Sequence, residues 1–338
     1  MAALGSSAAP AAAPPTLARL VGQSIMTAFS GTDPDAGLLR RIRAGDIGGV
    51  ILFGDNVSSP AAVRSLVGRL QATARAGGNP PLLVATDQEG GAVRRLPNGP
   101  PRLSERELGG LGSVANARAA GLATAAYLRP LGIVIDLAPV LDTTGPAGNF
   151  LGTRVYSDNA GLNAKLGAAF VDGLQQGRVA ATAKHFPGLG LAAANTDTNH
   201  VYITSGRKAL DEGLAPFSAA VANGVKLVMV SNAGYRAYDP TGVPAVLSRR
   251  IVSGLLRTTL GFHGVVISDA LSAPGPSSRP DAAVTALNAG VDVLLYTSES
   301  GGAAAFTQLL HAAADGSLSR RTLEQADARI AALKKWLR

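Results

Sequence analysis

At 338 residues the chain exceeds the length of most single domains, and with 46% apolar residues, led by Ala, Leu, Val and Gly, it can bury a large core. The absence of cysteine excludes disulfides, thiolate catalysis and zinc–thiolate sites, and the 4% aromatic content leaves few rings to stack on bases or sugars. A formal charge of +8, with pairs such as Arg249-Arg250 and Lys334-Lys335 but no nucleic-acid-binding module, reads as a solvated basic surface, with attraction to anionic envelope polymers as the alternative.

Residues 1–15 form an Ala/Ser/Pro-rich stretch without periodicity and are expected to be disordered ahead of one domain spanning 16–338. The stretch lacks the basic and continuous apolar regions of a signal peptide. It resembles the linker that often follows one, so export to the cell envelope is favoured over a cytoplasmic address. No run of about 18 apolar residues exists, so no membrane span is expected.

Short apolar runs bounded by turn residues then predict strands at 24–29, 49–53, 82–86, 133–138, 180–185, 227–231, 265–268 and 291–296. Most are continuously hydrophobic, as parallel strands buried on both faces require. Between them, helical patterns cover 61–76, 114–128, 162–176, 209–222, 249–260, 282–289 and 319–336. The first of these opens with Ser59 as N-cap and Pro60 at the first helical position. Eight strands alternating with helices predict a (β/α)₈ barrel, a doubly wound sheet being the competing architecture.

In such barrels functional groups gather where strands end. Polar residues follow the apolar runs at Asp87-Gln88-Glu89-Gly90-Gly91, Asp142, Lys184-His185, Asn232 and Asp269. Any one such Asp reads first as a helix cap or loop brace. Five such positions on one rim point to a site.

Five segments make the pattern specific: 86–96 (TDQEGGAVRRL), 135–143 (IDLAPVLDT), 152–158 (GTRVYSD), 184–188 (KHFPG) and 266–271 (VISDAL). In order and spacing they resemble glycoside hydrolase family 3, and most of all its bacterial β-N-acetylhexosaminidase branch. The flanks 48–57 (GGVILFGDNV) and 288–295 (NAGVDVLL) agree, so the likeness runs from residue 22 to about 296. The resemblance implies a retaining exo-β-N-acetylglucosaminidase with Asp269 as nucleophile, forming a covalent glycosyl-enzyme. It also implies sugar binding by Asp87, Arg95, Arg154, Lys184 and His185, whose acceptors and fixed donors suit hydroxyl groups. Arg94 is expected to face solvent, and Asp142 to touch the sugar or support the groups that do. Asn232 stands where the resembling proteins often carry histidine and is expected to hydrogen-bond a sugar or the nearby loop. His263 and His311 lie outside every motif.

The loop after KHFPG departs from the branch, which carries there a second histidine and then an Asp-x-His dyad. Here Leu189 replaces the former, Asn199 falls where the dyad histidine belongs, and His200 comes one residue late. Three readings stay open: His200 with Asp197 as acid/base pair, Asp197 without His200, or impaired chemistry. The last makes the chain a carbohydrate-binding pseudoenzyme. Within the family the alternative is a β-glucosidase or β-xylosidase, although those usually carry a further α/β domain. The expected partner is an amino-sugar glycoside or a cell-wall or chitin-derived oligosaccharide. Neither nucleic acid nor an obligate protein partner is inferred. No metal or organic cofactor is implied, since HExxH, P-loop and GxGxxG patterns are missing.

Overall fold

The structure, a computed structural model, describes residues 15–145 and 148–338. The expected disorder of residues 1–15 lies, Pro15 apart, outside the described residues. Eight parallel strands form the centre: β1 (Ile25–Thr27), β2 (Gly49–Leu52), β3 (Leu83–Thr86), β4 (Ile135–Asp136), β5 (Ala180–Phe186), β6 (Leu227–Val230), β7 (Val265–Ser268) and β8 (Leu294–Tyr296). Their hydrogen-bonded order runs β7-β6-β5-β4-β3-β2-β1-β8. The sheet closes on itself where Ile267 bridges Val293 and the Ser268 N–H donates 2.9 Å to the Val293 carbonyl. This is a (β/α)₈ barrel; seven of the eight runs read from sequence contain one of its strands, and the run at 180–185 stops one residue short of the end of β5.

Strand alternation sorts the core into two layers. Met26, Ile51, Leu83, Ile135, Ala180, Leu227, Val265 and Val293 fill the barrel interior. Their outward neighbours, such as Val50, Val84, Ala181, Val228 and Val266, pack under the surrounding helices. The last helix, Arg320–Trp336, places Ile330 and Leu333 against the interior cluster beside Val265, at the end of the barrel where strands begin. No helix among the described residues is long and apolar enough to cross a membrane.

The helices at 114–128 and 282–289 match their predicted bounds, while the segment at 209–222 divides into Arg207–Glu212 and Ala215–Ala222. Pro216, lacking an N–H, sits in the first turn of the second piece, where it is tolerated, and cannot lie inside one continuous helix. The segment expected as an α-helix over 249–260 is a π-helix at Arg250–Thr259. Sequence periodicity missed Leu17–Gln23, Ala36–Ala44, Glu105–Leu111 and Glu299–Asp315. The last of these packs through Gly302, Ala305, Leu309 and Ala312, a mostly small-residue face that carries little hydrophobic signal.

Candidate active site

The alternation that fills the barrel also aims its chemistry. Counting by twos from Leu83 leads to Asp87, from Ala180 to Lys184, and from Val265 to Asp269, so all three point inward at the strand ends. They line one open cavity of about 230 Å³, with His185, Arg95 and Arg154. His185 follows Lys184 directly, yet both reach the cavity. The register between β5 and β6 slips there: Ala183 pairs with Val228 but Phe186 with Val230, a bulge that inserts one residue and re-aims the chain.

A buried charge network forms the floor. Lys184, 2% exposed, places its Nζ 2.8 Å from Asp87 Oδ1 and 2.6 Å from Glu89 Oε1. Arg154 grips Glu89 through two bonds of 2.8 and 2.9 Å, the planar fork matching the carboxylate. Burial alone would raise the Glu89 carboxyl, but Lys184 and Arg154 outweigh it and hold it down at about 2. The same carboxylates, Asp87 and Glu89, keep Lys184 above its ordinary range against the opposing effect of burial. Arg95 reaches Asp87 Oδ2 at 3.4 Å and lies over the Phe53 ring, 5.3 Å from its centre. Glu89 stood in the sequence only as one polar residue of a rim segment. Its pairing with an arginine 65 residues away gives no local signal.

Glu89 lies in a short hairpin, Gln88–Gly90 with Val93–Arg94, which Asp87 immediately precedes. Its turn needs glycine: Gly90 and Gly91 have φ of 114° and 51°, and a Cβ on Gly90 would lie 2.3 Å from the Leu103 carbonyl. Arg94, expected to face solvent, instead donates to the Gly91 and Pro97 carbonyls at 2.9 and 2.8 Å and braces this loop.

Asp142 lies behind His185 and does not line the cavity. Its carboxylate accepts from the Leu189 N–H at 2.6 Å and the His185 N–H at 3.2 Å, and its Oδ2 is 2.7 Å from His185 Nδ1. An acceptor already serving two backbone donors makes Nδ1 the donating nitrogen, which leaves Nε2 as the second polar atom of the ring.

Asp269 caps no helix, since the next one begins at Pro274 after Ala273. Its Oδ1 accepts from the Ala270 N–H at 2.7 Å. Burial raises its pKa, His185 and Lys184 oppose the rise, and the nearby Asp197 adds to it. Asn232 does not line the cavity. It donates 2.8 Å to the Ala270 carbonyl and so holds the segment behind Asp269.

The residues of the divergent loop separate. Asp197 lines the cavity with Asn195 and Thr196, its N–H held by Asn195 Oδ1 at 3.0 Å. His200 lies outside, stacked on Tyr202 with ring centres 4.8 Å apart and set against Gly275. No hydrogen bond or ion pair joins it to Asp197 among the described residues. Nor is any group of three or more His, Asp or Glu there disposed to hold a metal ion.

A cavity with a strand-end carboxylate, a buried lysine and two arginines fits a polyhydroxylated substrate, and comparison with known proteins gives the lineage. Residues 21–333 match the model of the glycosyl hydrolase family 3 N terminal domain. The chain belongs to glycosyl hydrolase family 3. The matched span of this family takes in all eight strands and every cavity residue named above. An Arthroderma benhamiae protein named an uncharacterized secreted glycosyl hydrolase is 36% identical over 99% of this chain and 97% of its own length. A family 3 β-N-acetylglucosaminidase from Paenibacillus superposes with a TM-score of 0.93 at 36% identity, covering 96% of this chain but 63% of that one. The β-N-acetylhexosaminidase from Beutenbergia cavernae is similar over its whole length: 96% of this chain, 100% of that one, TM-score 0.87 and 33% identity.

Proposed function

We propose that the chain is a retaining exo-β-N-acetylglucosaminidase acting on amino-sugar glycosides such as cell-wall or chitin-derived oligosaccharides. The observation that carries this reading is the inward Asp269 carboxylate sharing a cavity with Asp197 and the Asp87–Lys184–Glu89–Arg154 network. Asp269 attacks C1 of the bound sugar while Asp197 gives its proton to the glycosidic oxygen, which leaves as an alcohol. Asp197 then takes a proton from water, the hydroxide attacks C1, and the ester to Asp269 breaks. Only the ionised form of Asp269 attacks, so its pKa, raised chiefly by burial, moves the acidic limb of activity upward from where an ordinary aspartate would set it.

The test is release of nitrophenol from aryl glycosides, with the anomer of the product read by NMR. Turnover of the β-N-acetylglucosaminide with initial β-product is expected. Preference for the β-glucoside would make the chain a glucosidase, and binding without release would make it a pseudoenzyme.

The acid/base role divides the loop. His200→Ala is expected to leave kcat within about threefold, because the ring lies off the cavity, whereas Asp197→Ala should slow cleavage of poor leaving groups by roughly 10²–10⁴. Equal losses in the two variants would restore the pair as the working unit.

A further inference from the structure

The cavity carboxylates are held from behind. The peptide linking Asp87 to Gln88 donates its N–H to Asp136 Oδ1 at 2.9 Å. Gln88 in turn fixes the following loop, donating from Nε2 to the Leu96 and Pro100 carbonyls at 3.0 and 2.9 Å and accepting the Leu96 N–H at 3.1 Å. Asp136 lies on β4 between Ile135 and Leu137, which face the barrel interior, so its own side chain leaves by the opposite face. It is fully buried and absent from the cavity lining.

Its surroundings are unusual. Asp136 Oδ2, Glu105 Oε2 and the Tyr156 hydroxyl are all buried without a hydrogen-bond partner among the described residues. Glu105 uses its other oxygen to accept the Val140 N–H at 2.8 Å. The titratable groups close enough to Asp136 to act on it, or be acted on, through charge are Lys184, Asp87, Glu89 and Tyr156. Burial raises the Asp136 carboxyl to about 8; the Gln88 bond and Lys184 oppose this, and Asp87 and Glu89 add to it. Burial and the Glu89 charge likewise raise Glu105 well above the ordinary range. Near neutral pH Asp136 therefore keeps its proton, accepting from Gln88 on one oxygen and carrying hydrogen on the other.

We infer that Asp136 is a positioning residue of the sugar pocket, fixing the Asp87–Gln88 peptide from outside the barrel and with it the aim of the two carboxylates that hold Lys184. The inference rests on reading the cavity as the sugar site. Alanine at this position strands a buried N–H, while asparagine keeps the acceptor and places an amide where the protonated oxygen stood.

The experiment compares wild type, Asp136→Ala and Asp136→Asn by amide hydrogen exchange over residues 88–95 and by kcat and KM on nitrophenyl β-N-acetylglucosaminide. Exchange needs no turnover, so it reports on the anchor even if the chain cleaves nothing. In Asp136→Ala the hairpin amides are expected to exchange at least tenfold faster and KM to rise at least tenfold, with kcat changed less. Asp136→Asn should stay within threefold of wild type in every readout. Wild-type exchange and KM in a folded Asp136→Ala would overturn the inference. So would a loss in Asp136→Asn as large as in Asp136→Ala.

Discussion

Replacing Asp269 with alanine is expected to lower kcat by roughly 10⁴-fold or more, because the two-step route through a glycosyl ester disappears with the carboxylate. The fold should barely respond. Among the described residues the Asp269 side chain accepts one hydrogen bond, from the Ala270 N–H, and forms no ion pair within 4 Å. Burial disfavours its charged form, so its removal takes away a desolvation cost as well as a bond. The net change is expected near 1 kcal/mol and the melting temperature within about 4 °C. Azide makes the test specific to the nucleophile. In Asp269→Gly, azide can enter from the face the carboxylate occupied and should give an α-glycosyl azide, whereas rescue of Asp197→Ala should give the β-anomer. Undiminished turnover in Asp269→Ala would remove this residue from the mechanism, and β-azide from Asp269→Gly would exchange the roles of the two carboxylates.

The barrel was legible because parallel strands buried on both faces must be continuously apolar, and such runs end abruptly where the rim begins. The aim of Asp87, Lys184 and Asp269 follows from the same rule, each standing at the inward parity of its strand. His185 does not follow from it, since only the β5–β6 bulge turns two successive side chains into one cavity. Pairings between distant segments were equally hidden. Nothing near Glu89 announces Arg154, and nothing in the Ile135–Asp136 strand announces that one of its residues supports Gln88 from behind. The helix Glu299–Asp315 escaped for a plainer reason: its packed face is largely Gly and Ala. The loop after Gly188 is the hardest case. Its residues named a carboxylate and a histidine three apart, a spacing that one helical turn would bring together. The chain instead runs on past Asp197, and His200 finds its partner in the Tyr202 ring.

Lys184→Met should be the most destabilising single change at the site. The side chain is 2% exposed and its ammonium lies between two carboxylates at 2.8 and 2.6 Å, so methionine fills the volume and leaves Asp87 and Glu89 facing each other. Breaking a buried ion pair from one side costs about 3–5 kcal/mol. Arg154 still neutralises Glu89 and Arg95 still approaches Asp87, which places the expected loss near the lower figure. The pH dependence gives the sign. In the wild type Glu89 is held at about 2 against an ordinary 4.5, so the unfolded chain takes up this proton first as pH falls. Lys184 and Arg154 together therefore contribute about 3 kcal/mol through Glu89, fully present above pH 4.5 and lost as pH drops through 2. With Lys184 gone, Glu89 rises and protonates earlier, relieving the repulsion. The gap in melting temperature between wild type and Lys184→Met should accordingly be widest near pH 7 and shrink towards pH 3. A double-mutant cycle with Glu89→Gln isolates the pair, and the loss in the double variant should fall short of the sum of the two single losses. A gap independent of pH, or strictly additive losses, would mean that Lys184 holds the barrel mouth by packing rather than by charge.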